Sequence, residues 1–383
     1  MKNLKVLLIS SNSSSRGGGE KYLIYLARGL RNKGFNVEIL LSSSYYMDTW
    51  YKEFKELNFN VKRLKLKGLR DRKFRFFEAI IDFNQIFKIS NYCRKINPKF
   101  IVVNQQYDED DLDFIQGSIF SGNKNVISII HMPMTKKKNH RPLGRFRGFL
   151  LNIWYKFFKY KKVLVSYGSR QEFTTYYKSV SNTFLINNAV PQEDKISDVN
   201  SPEKKAKKYI NLTFIGQFVH QKNLIELINI WSKLRNDALD VRLNLIGDGP
   251  LKPKILEMLK LFDSEYWNVS GWVSNFNVSL EDIDIYVMPS KFEGLPLSLL
   301  EVASKGIYCV VNPFNGAADV SKHAYWVNVS KSFEKEDFYF LLKDMIIKKT
   351  FQKKINNKKL LKFRQYFSLE RMSNQIIELV EDE

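Results

Sequence analysis

Cysteine and long apolar runs are both scarce in this chain. Cys93 and Cys309 are the only thiols among 383 residues, and two isolated cysteines fit neither a disulfide framework nor a metal-binding spacing. No run of eighteen apolar residues occurs, so no transmembrane helix is expected. The apolar segment 5–10 is too short, and too near the start, to act as a signal peptide. These features predict a protein of the reducing cytoplasm.

Acidic residues are also in short supply. There are 40 Asp and Glu residues against 61 Lys and Arg residues, which gives a net charge of +21. Such an excess predicts an anionic partner, which could be nucleic acid, anionic lipid or a phosphorylated substrate. The chain length and the 44% hydrophobic content are sufficient for two packed domains.

The positive charge is concentrated in two segments that also contain aromatic residues. Residues 62–75 hold Asp71 as their sole acid, and an amphipathic helical pattern rich in phenylalanine follows them. Residues 136–162 contain no acid, and their aromatic residues recur at helical spacing. Two interpretations stay open: helices that pack into the core beside solvated charges, or a surface that contacts an anionic membrane.

Strand and helix patterns alternate along the chain and predict a doubly wound α/β architecture. The first unit is a strand at 6–9, a loop that ends in Gly17 and Gly18, an amphipathic helix and a strand at 37–41. Glycines in such a loop allow backbone amides to approach a phosphate. A second α/β series begins at 211, after the polar linker 191–208.

Several polar residues lie at the ends of predicted strands or in the loops just after them. His131 follows the strand 126–130, Gln217 and Lys222 follow 211–216, and Glu293 follows 285–288. Open parallel sheets bind ligands beyond the carboxyl ends of their strands, so these side chains are the candidates for a ligand site. Asp108 to Asp111 are expected to cap and charge the start of a helix rather than to bind a metal.

The stretch PSKFEGLPLSLLEVASKG, residues 289–306, resembles the retaining glycosyltransferases of family 4, which carry two glutamates separated by seven residues. The stretches GGGEKYLIYLARGLRNKGFNVEIL, FIGQFVHQKN, LIGDGP and FLINNAV are similar to the same family. The resemblance implies the GT-B fold, in which two doubly wound Rossmann-like domains face each other across a cleft. It places the acceptor-side domain at 1–185 and the nucleotide-sugar domain at 186–367, with the terminal helix 368–383 packed back on the first domain.

The same resemblance assigns roles to individual positions. It implies that Glu293 and His131 grip and orient the donor sugar, and that Glu301 holds the ribose. The residues expected to contact the diphosphate are Gly17, Gly18, Gln217, Lys222 and Leu297. Val273 is expected near the nucleobase. Gln217 stands where the family usually has arginine. No cofactor and no metal ion are expected.

The function implied is transfer of a sugar, with retention, from a UDP-sugar in preference to a GDP-sugar. The expected acceptor is a saccharide or a lipid-linked sugar of surface polysaccharide, O-antigen or capsule biosynthesis, at the inner face of the cytoplasmic membrane. No nucleic acid partner is expected. Two alternatives remain: a nucleotide-sugar 2-epimerase of the same fold, and a non-catalytic basic protein that binds nucleic acid or another anion.

Overall fold

The computed structural model describes residues 4–11, 17–68, 71–72, 75–133, 142–178, 180–192, 208–272 and 282–381. Its contacts divide the chain into two compact units. Unit 1 comprises Met1–Ala189 and Ser368–Glu383, and unit 2 comprises Val190–Phe367. Residue 185, the boundary expected from the sequence, is the last residue of a short strand in unit 1.

Unit 1 is built on a seven-stranded parallel sheet. Its strands are β1 Lys5–Ser10, β2 Asn36–Ser42, β3 Asn60–Leu64, β4 Phe100–Tyr107, β5 Val126–Met132, β6 Lys161–Leu164 and β7 Thr183–Leu185. The spatial order is β3-β2-β1-β4-β5-β6-β7. Val6 of β1 is paired with Val37 on one side and with Phe100 on the other. The strand order therefore reverses between β1 and β4, the place where doubly wound sheets open a crevice.

Helices connect the strands of unit 1 and cover its sheet. They are α1 Gly18–Asn32, α2 Asp48–Glu56, α3 Arg75–Ile81, α4 Phe83–Ile96, α5 Leu112–Phe120, α6 Pro142–Phe157, α7 Tyr167–Tyr176 and, at the end of the chain, α14 Leu369–Glu381. Helix α14 packs against α1, and Lys33 forms an ion pair with Glu370 at 2.9 Å. Ser368 caps α14, since its hydroxyl accepts from the Arg371 amide at 3.2 Å.

Unit 2 repeats the architecture with six parallel strands in the order β10-β9-β8-β11-β12-β13. The strands are β8 Ile210–Ile215, β9 Val241–Ile246, β10 Trp267–Ser270, β11 Ile285–Met288, β12 Tyr308–Val311 and β13 Val327–Val329. The helices are α8 Leu224–Asn236, α9 Lys252–Leu259, α10 Leu297–Ser304, α11 Ala317–Ser321, α12 Lys335–Ile347 and α13 Asn357–Tyr366. The order reverses between β8 and β11, and the doubly wound α/β prediction is thereby confirmed for both units.

The acidic segment before α5 does not cap the helix as expected. Asp111 immediately precedes α5 at φ 54°, and its side chain makes no capping hydrogen bond. Asp108, Asp110 and Asp111 are buried instead, and Asp108 accepts a hydrogen bond from the Tyr177 hydroxyl at 2.7 Å. Asp110 accepts from the Tyr107 amide at 3.0 Å. The prediction of a side-chain cap was wrong, because these buried carboxylates bind other partners and leave the start of α5 without a capping hydrogen bond. Across the residues that the structure describes, no group of three His, Cys, Asp or Glu side chains could hold a metal ion.

Candidate functional site

A charged candidate site of unit 2 lies beyond the carboxyl ends of β8 and β11. Lys222 Nζ and Glu293 Oε1 are 2.6 Å apart, and both side chains are largely buried. β8 and β11 are neighbours in the sheet, with Leu212 opposite Ile285. The loops that leave these two strands therefore meet, which brings together two predicted residues separated by 71 positions.

The loop that carries Glu293 is held from both sides. The Gln221 carbonyl accepts from the Lys291 amide at 2.9 Å, and Gln221 Nε2 donates to the Phe292 carbonyl at 2.8 Å. On the other side, a Cβ added to Gly316 would lie 2.2 Å from the Gly294 carbonyl oxygen. Gln221 therefore positions the Lys222–Glu293 pair, and only glycine fits at 316.

Glu301 lies in the second turn of α10, the short helix after the Glu293 loop. Glu301 is 7% exposed, and Leu297, the first residue of α10, is buried as well. The Tyr286 hydroxyl is 3.0 Å from the Ser298 hydroxyl, which ties strand β11 to the first turn of α10. Burial raises the pKa of Tyr286, and the nearby charges of Glu293 and Glu301 raise it further. Tyr286 is therefore a neutral hydrogen-bonding support beneath the two glutamates.

The remaining predicted residues of unit 2 are placed as follows. Gln217 is half-buried in the turn after β8, and Val273 lies outside the described residues. The glycine at 247 supports this turn, because its φ is +147° and an added Cβ would lie 1.9 Å from the Gly216 carbonyl oxygen. The LIGDGP stretch thus packs directly beneath the turn that presents Gln217.

In unit 1, His131 lies near the carboxyl end of β5 and is 7% exposed. Its Nε2 is 2.9 Å from Asn104 Oδ1, and Asn104 Nδ2 donates to the Gly19 carbonyl at 3.2 Å. The Gly19 carbonyl fixes the orientation of the Asn104 amide, so the oxygen of that amide faces the histidine. We therefore assign the proton to Nε2, which leaves Nδ1 as an acceptor.

The protonation of His131 follows from its surroundings. Burial lowers its pKa to about 4, and the ring of Tyr22 packs edge-on against it with centroids 5.0 Å apart. Burial also raises the pKa of Tyr22, so neither group is charged near neutral pH. His131 can hydrogen-bond a hydroxyl there but does not supply a positive charge.

Gly17 and Gly18 form the start of α1. Gly17 is extended, with φ −94° and ψ 170°, and Gly18 begins the helix. A Cβ on Gly18 would meet no atom of a sequence-distant residue within 4 Å, whereas a Cβ on Gly19 would be 3.3 Å from Gln106 Oε1. Gly18 is exposed, and Gly19 packs closely against β4.

Sequence patterns missed three supporting residues: Asn104, Gln221 and Tyr286. Tyr286 lies within the predicted strand 285–288 and was assigned only to the sheet. Asn104 directly follows the apolar run that predicted a strand at 100–103, and the observed strand β4 extends through it. Gln221 is next to Lys222, but its partners lie in a loop 70 and 71 residues away. A polar residue at the end of an apolar strand was the available signal for Asn104.

Two parallel-sheet α/β units with these sites define the GT-B class of fold, and solved structures agree. The lipopolysaccharide outer core galactosyltransferase WaaB, in its apo form, superposes with a TM-score of 0.69 over 98% of this chain and 99% of that chain, at 18% identity. Anabaena Alr3699/HepE, in complex with UDP and glucose, gives a TM-score of 0.75 over 99% of this chain and 100% of that chain, at 14% identity. The GT-B fold expected from the sequence is confirmed.

Residues 210–336, within unit 2, match the family model described as Glycosyl transferases group 1. The amylovoran biosynthesis glycosyltransferase AmsD of Erwinia amylovora is 26% identical over 37% of this chain and 40% of its own length. The UDP-Gal:alpha-D-GlcNAc-diphosphoundecaprenol alpha-1,3-galactosyltransferase of Escherichia coli is 32% identical over 27% of this chain and 28% of its own length. The matched parts span well under two thirds of these curated relatives.

Because the pKa of His131 is lowered, the loss of unfolding free energy on replacing this residue should depend on pH. As pH falls below about 6.5, the unfolded chain takes up a proton at this residue before the folded chain does. The stabilisation from His131 is thus complete above about pH 6.5 and is lost toward about pH 4. We expect His131→Asn to lower the free energy of unfolding more at about pH 7.5 than at about pH 5.

Urea denaturation of both proteins at the two pH values measures this difference. Buried carboxyl groups such as Asp111, whose pKa burial raises to about 7, titrate in both proteins and cancel. The control is His220→Asn, which makes the same substitution at an exposed position of unit 2. If His131→Asn lowered the free energy of unfolding equally at both pH values, the assignment of a buried neutral imidazole would be contradicted.

Proposed function

We propose that this protein is a retaining glycosyltransferase of family 4, which transfers a sugar from a nucleotide-sugar without a bound metal ion. The observation that carries the proposal is the buried Lys222–Glu293 pair, 2.6 Å apart, at the carboxyl edge of the unit 2 sheet. The group 1 match over residues 210–336 covers both residues of the pair and the strands that place them. A buried charged pair at the ligand edge of a sheet is typical of a functional site.

Charge on the leaving group is the main chemical problem of this reaction. As the glycosidic bond breaks, negative charge grows on the departing nucleoside diphosphate, and a cation fixed in advance stabilises it. Lys222 is that cation, and Glu293 together with Gln221 fixes its direction. Gln217 adds a hydrogen bond to the diphosphate without a charge, and so does the amide of Leu297 at the start of α10.

The two glutamates have separate tasks in this proposal. Glu301 binds the ribose hydroxyls from inside α10, since a carboxylate accepts two hydrogen bonds at once. Glu293 orients the sugar while it holds Lys222. His131, neutral near pH 7, hydrogen-bonds a sugar hydroxyl, and the amides of Gly17 and Gly18 take part in holding the diphosphate.

The donor that we propose is a UDP-sugar, and the acceptor is a saccharide or a lipid-linked sugar of surface polysaccharide biosynthesis. Three likenesses support this choice. HepE was solved with UDP and glucose, AmsD is named for amylovoran biosynthesis, and the name of the Escherichia coli relative gives a diphosphoundecaprenol-linked acceptor. Because that carrier is a membrane lipid, we place the reaction at the inner face of the cytoplasmic membrane. No helix in the described part of the chain is long and apolar enough to cross a membrane.

The proposal predicts selective, metal-free use of one donor. We expect UDP to raise the melting temperature more than GDP, and one UDP-sugar to release UDP slowly in the presence of a chelator. Thermal shift and coupled detection of the released nucleotide measure both effects. Release of a modified sugar nucleotide would assign the chain to the epimerases, and indifference to every nucleotide would contradict the proposal.

Removing the cation predicts a loss of turnover. We expect Lys222→Gln to lower kcat by about 100-fold or more, because the developing charge loses its main stabilising group. Lys291→Gln is the matched control. Lys291 is exposed in the neighbouring loop, and its substitution removes the same charge. Glu293→Gln should lower transfer as well, and undiminished transfer by that variant would refute the role of Glu293.

Restoring the usual cation at 217 predicts tighter donor binding. We expect Gln217→Arg to lower the Kd for UDP by about tenfold, because a hydrogen bond with a charged donor contributes about 1.5–3 kcal/mol against about 1 kcal/mol for a neutral one. His220→Arg adds a positive charge at an exposed position of the same loop and should change the Kd little. Calorimetric titration with UDP gives both values, and an equal gain in the two variants would point to general charge attraction.

A further inference from the structure

Helix α6 is apolar on two sides. One side packs into the unit 1 core through Leu151, Trp154 and Tyr155. The other side carries exposed residues three or four positions apart, which places them along one stripe of the helix: Phe146, Phe149, Ile153 and Phe157. Phe157 is 79% exposed, so this stripe is not part of the core.

Helices α3 and α4 repeat this arrangement. Their buried residues include Phe76 and Ile89, which belong to the same core cluster as Leu151. Their exposed apolar residues, each between 41% and 62% exposed, are Phe77, Ile81, Phe83 and Phe87. Together with the α6 stripe, these residues form a surface that we call the outer face.

The two halves of the outer face lie on the same side of unit 1. Helices α3 to α6 connect strands that advance in one direction from β3 to β6, so right-handed crossovers place them on one side of the sheet. The Arg147 guanidinium lies 5.9 Å from the centre of the Phe76 ring, which joins α6 to α3. Helix α5 is buried from Leu112 to Ser118 and packs against both α3 and α4.

The charge around the outer face is positive. Neither α4 nor α6 contains an acidic residue, and together they carry six Lys and Arg residues. The acids on this side are Glu78 in α3 and Asp82 just before α4, and the basic residues outnumber them. Lys88 is exposed beside Phe87, and Lys156 is exposed beside Phe157. Apolar side chains interleaved with lysines match the interface of an anionic bilayer, where rings enter the acyl boundary and ammonium groups meet lipid phosphates.

We propose that the outer face docks unit 1 on an anionic lipid bilayer. A second copy of this chain fits less well, because a two-fold contact would bring like charges together across the same surface. The proposal extends the proposed function, since docking would carry the enzyme to a lipid-linked acceptor. Vesicle binding is measured without any sugar transfer, so the two proposals can fail separately.

The test is co-sedimentation of the full chain with phosphatidylcholine vesicles that contain phosphatidylglycerol. We expect binding at low salt, weaker binding at high salt and little binding to pure phosphatidylcholine. The double variant Phe149→Ser with Phe157→Ser should bind about tenfold or more weakly, because two rings no longer enter the interface. The matched control is Phe333→Ser with Phe340→Ser, at 50% and 59% exposed positions of unit 2, which should bind as the parent does.

Charge reversal separates this face from the overall charge of +21. Lys88→Glu with Lys156→Glu should weaken vesicle binding by about tenfold or more, whereas Lys353→Glu with Lys354→Glu, on an exposed stretch of unit 2, should have little effect. Equal loss in both pairs would overturn the proposal, as would the absence of vesicle binding in a protein that still binds UDP. A dimer that the phenylalanine variant abolishes, in a protein without vesicle binding, would assign the outer face to a second copy.

Discussion

The ion pair between Lys222 and Glu293 is the constraint around which unit 2 is arranged. A carboxylate that is 7% exposed needs a partner, since burial of an unpaired charge is strongly unfavourable. The adjacency of β8 and β11 supplies the partner, and Gln221 fixes the geometry. Loss of one member of a buried pair destabilises a protein by about 3–5 kcal/mol. The same contact therefore stabilises the fold and directs a cation toward the ligand edge of the sheet.

The two units place different chemistry at equivalent edges of their sheets. In unit 2 the edge presents Lys222 with Glu293, a charged pair suited to a diphosphate. In unit 1 it presents His131 and Asn104, which are neutral near pH 7 and suited to hydroxyl groups. Both edges arise from the same doubly wound order, in which the strand sequence reverses at the centre of the sheet. The topology sets where ligands can bind, and the side chains at each edge determine what kind.

The strand–helix alternation was sufficient to predict the doubly wound architecture, because buried parallel strands are continuous apolar runs. Candidate residues such as Glu293 were found because they lie in the loops after such runs and in stretches that resemble the family. The supports of the site were not found, since the partners of Asn104 lie 27 and 85 residues away and local spacing contains no information about them. The two faces of α6 could not be separated either. A helix with apolar residues on both sides has the periodicity of a core helix, and only the packing shows which side is covered.

The nature of the exposed side chains decides between the polyanions that a basic protein could meet. Bases of single-stranded nucleic acids stack on flat aromatic rings, and a platform for them is made of aromatic residues and arginine. The outer face mixes its rings with the branched aliphatic side chains Ile81 and Ile153, which are 62% and 49% exposed. Aliphatic groups offer no stacking surface, but they gain from entering hydrocarbon just as phenylalanine does. The composition of the outer face therefore favours lipid over nucleic acid. The positive charge would attract either polyanion, but only lipid would cover the exposed apolar surface.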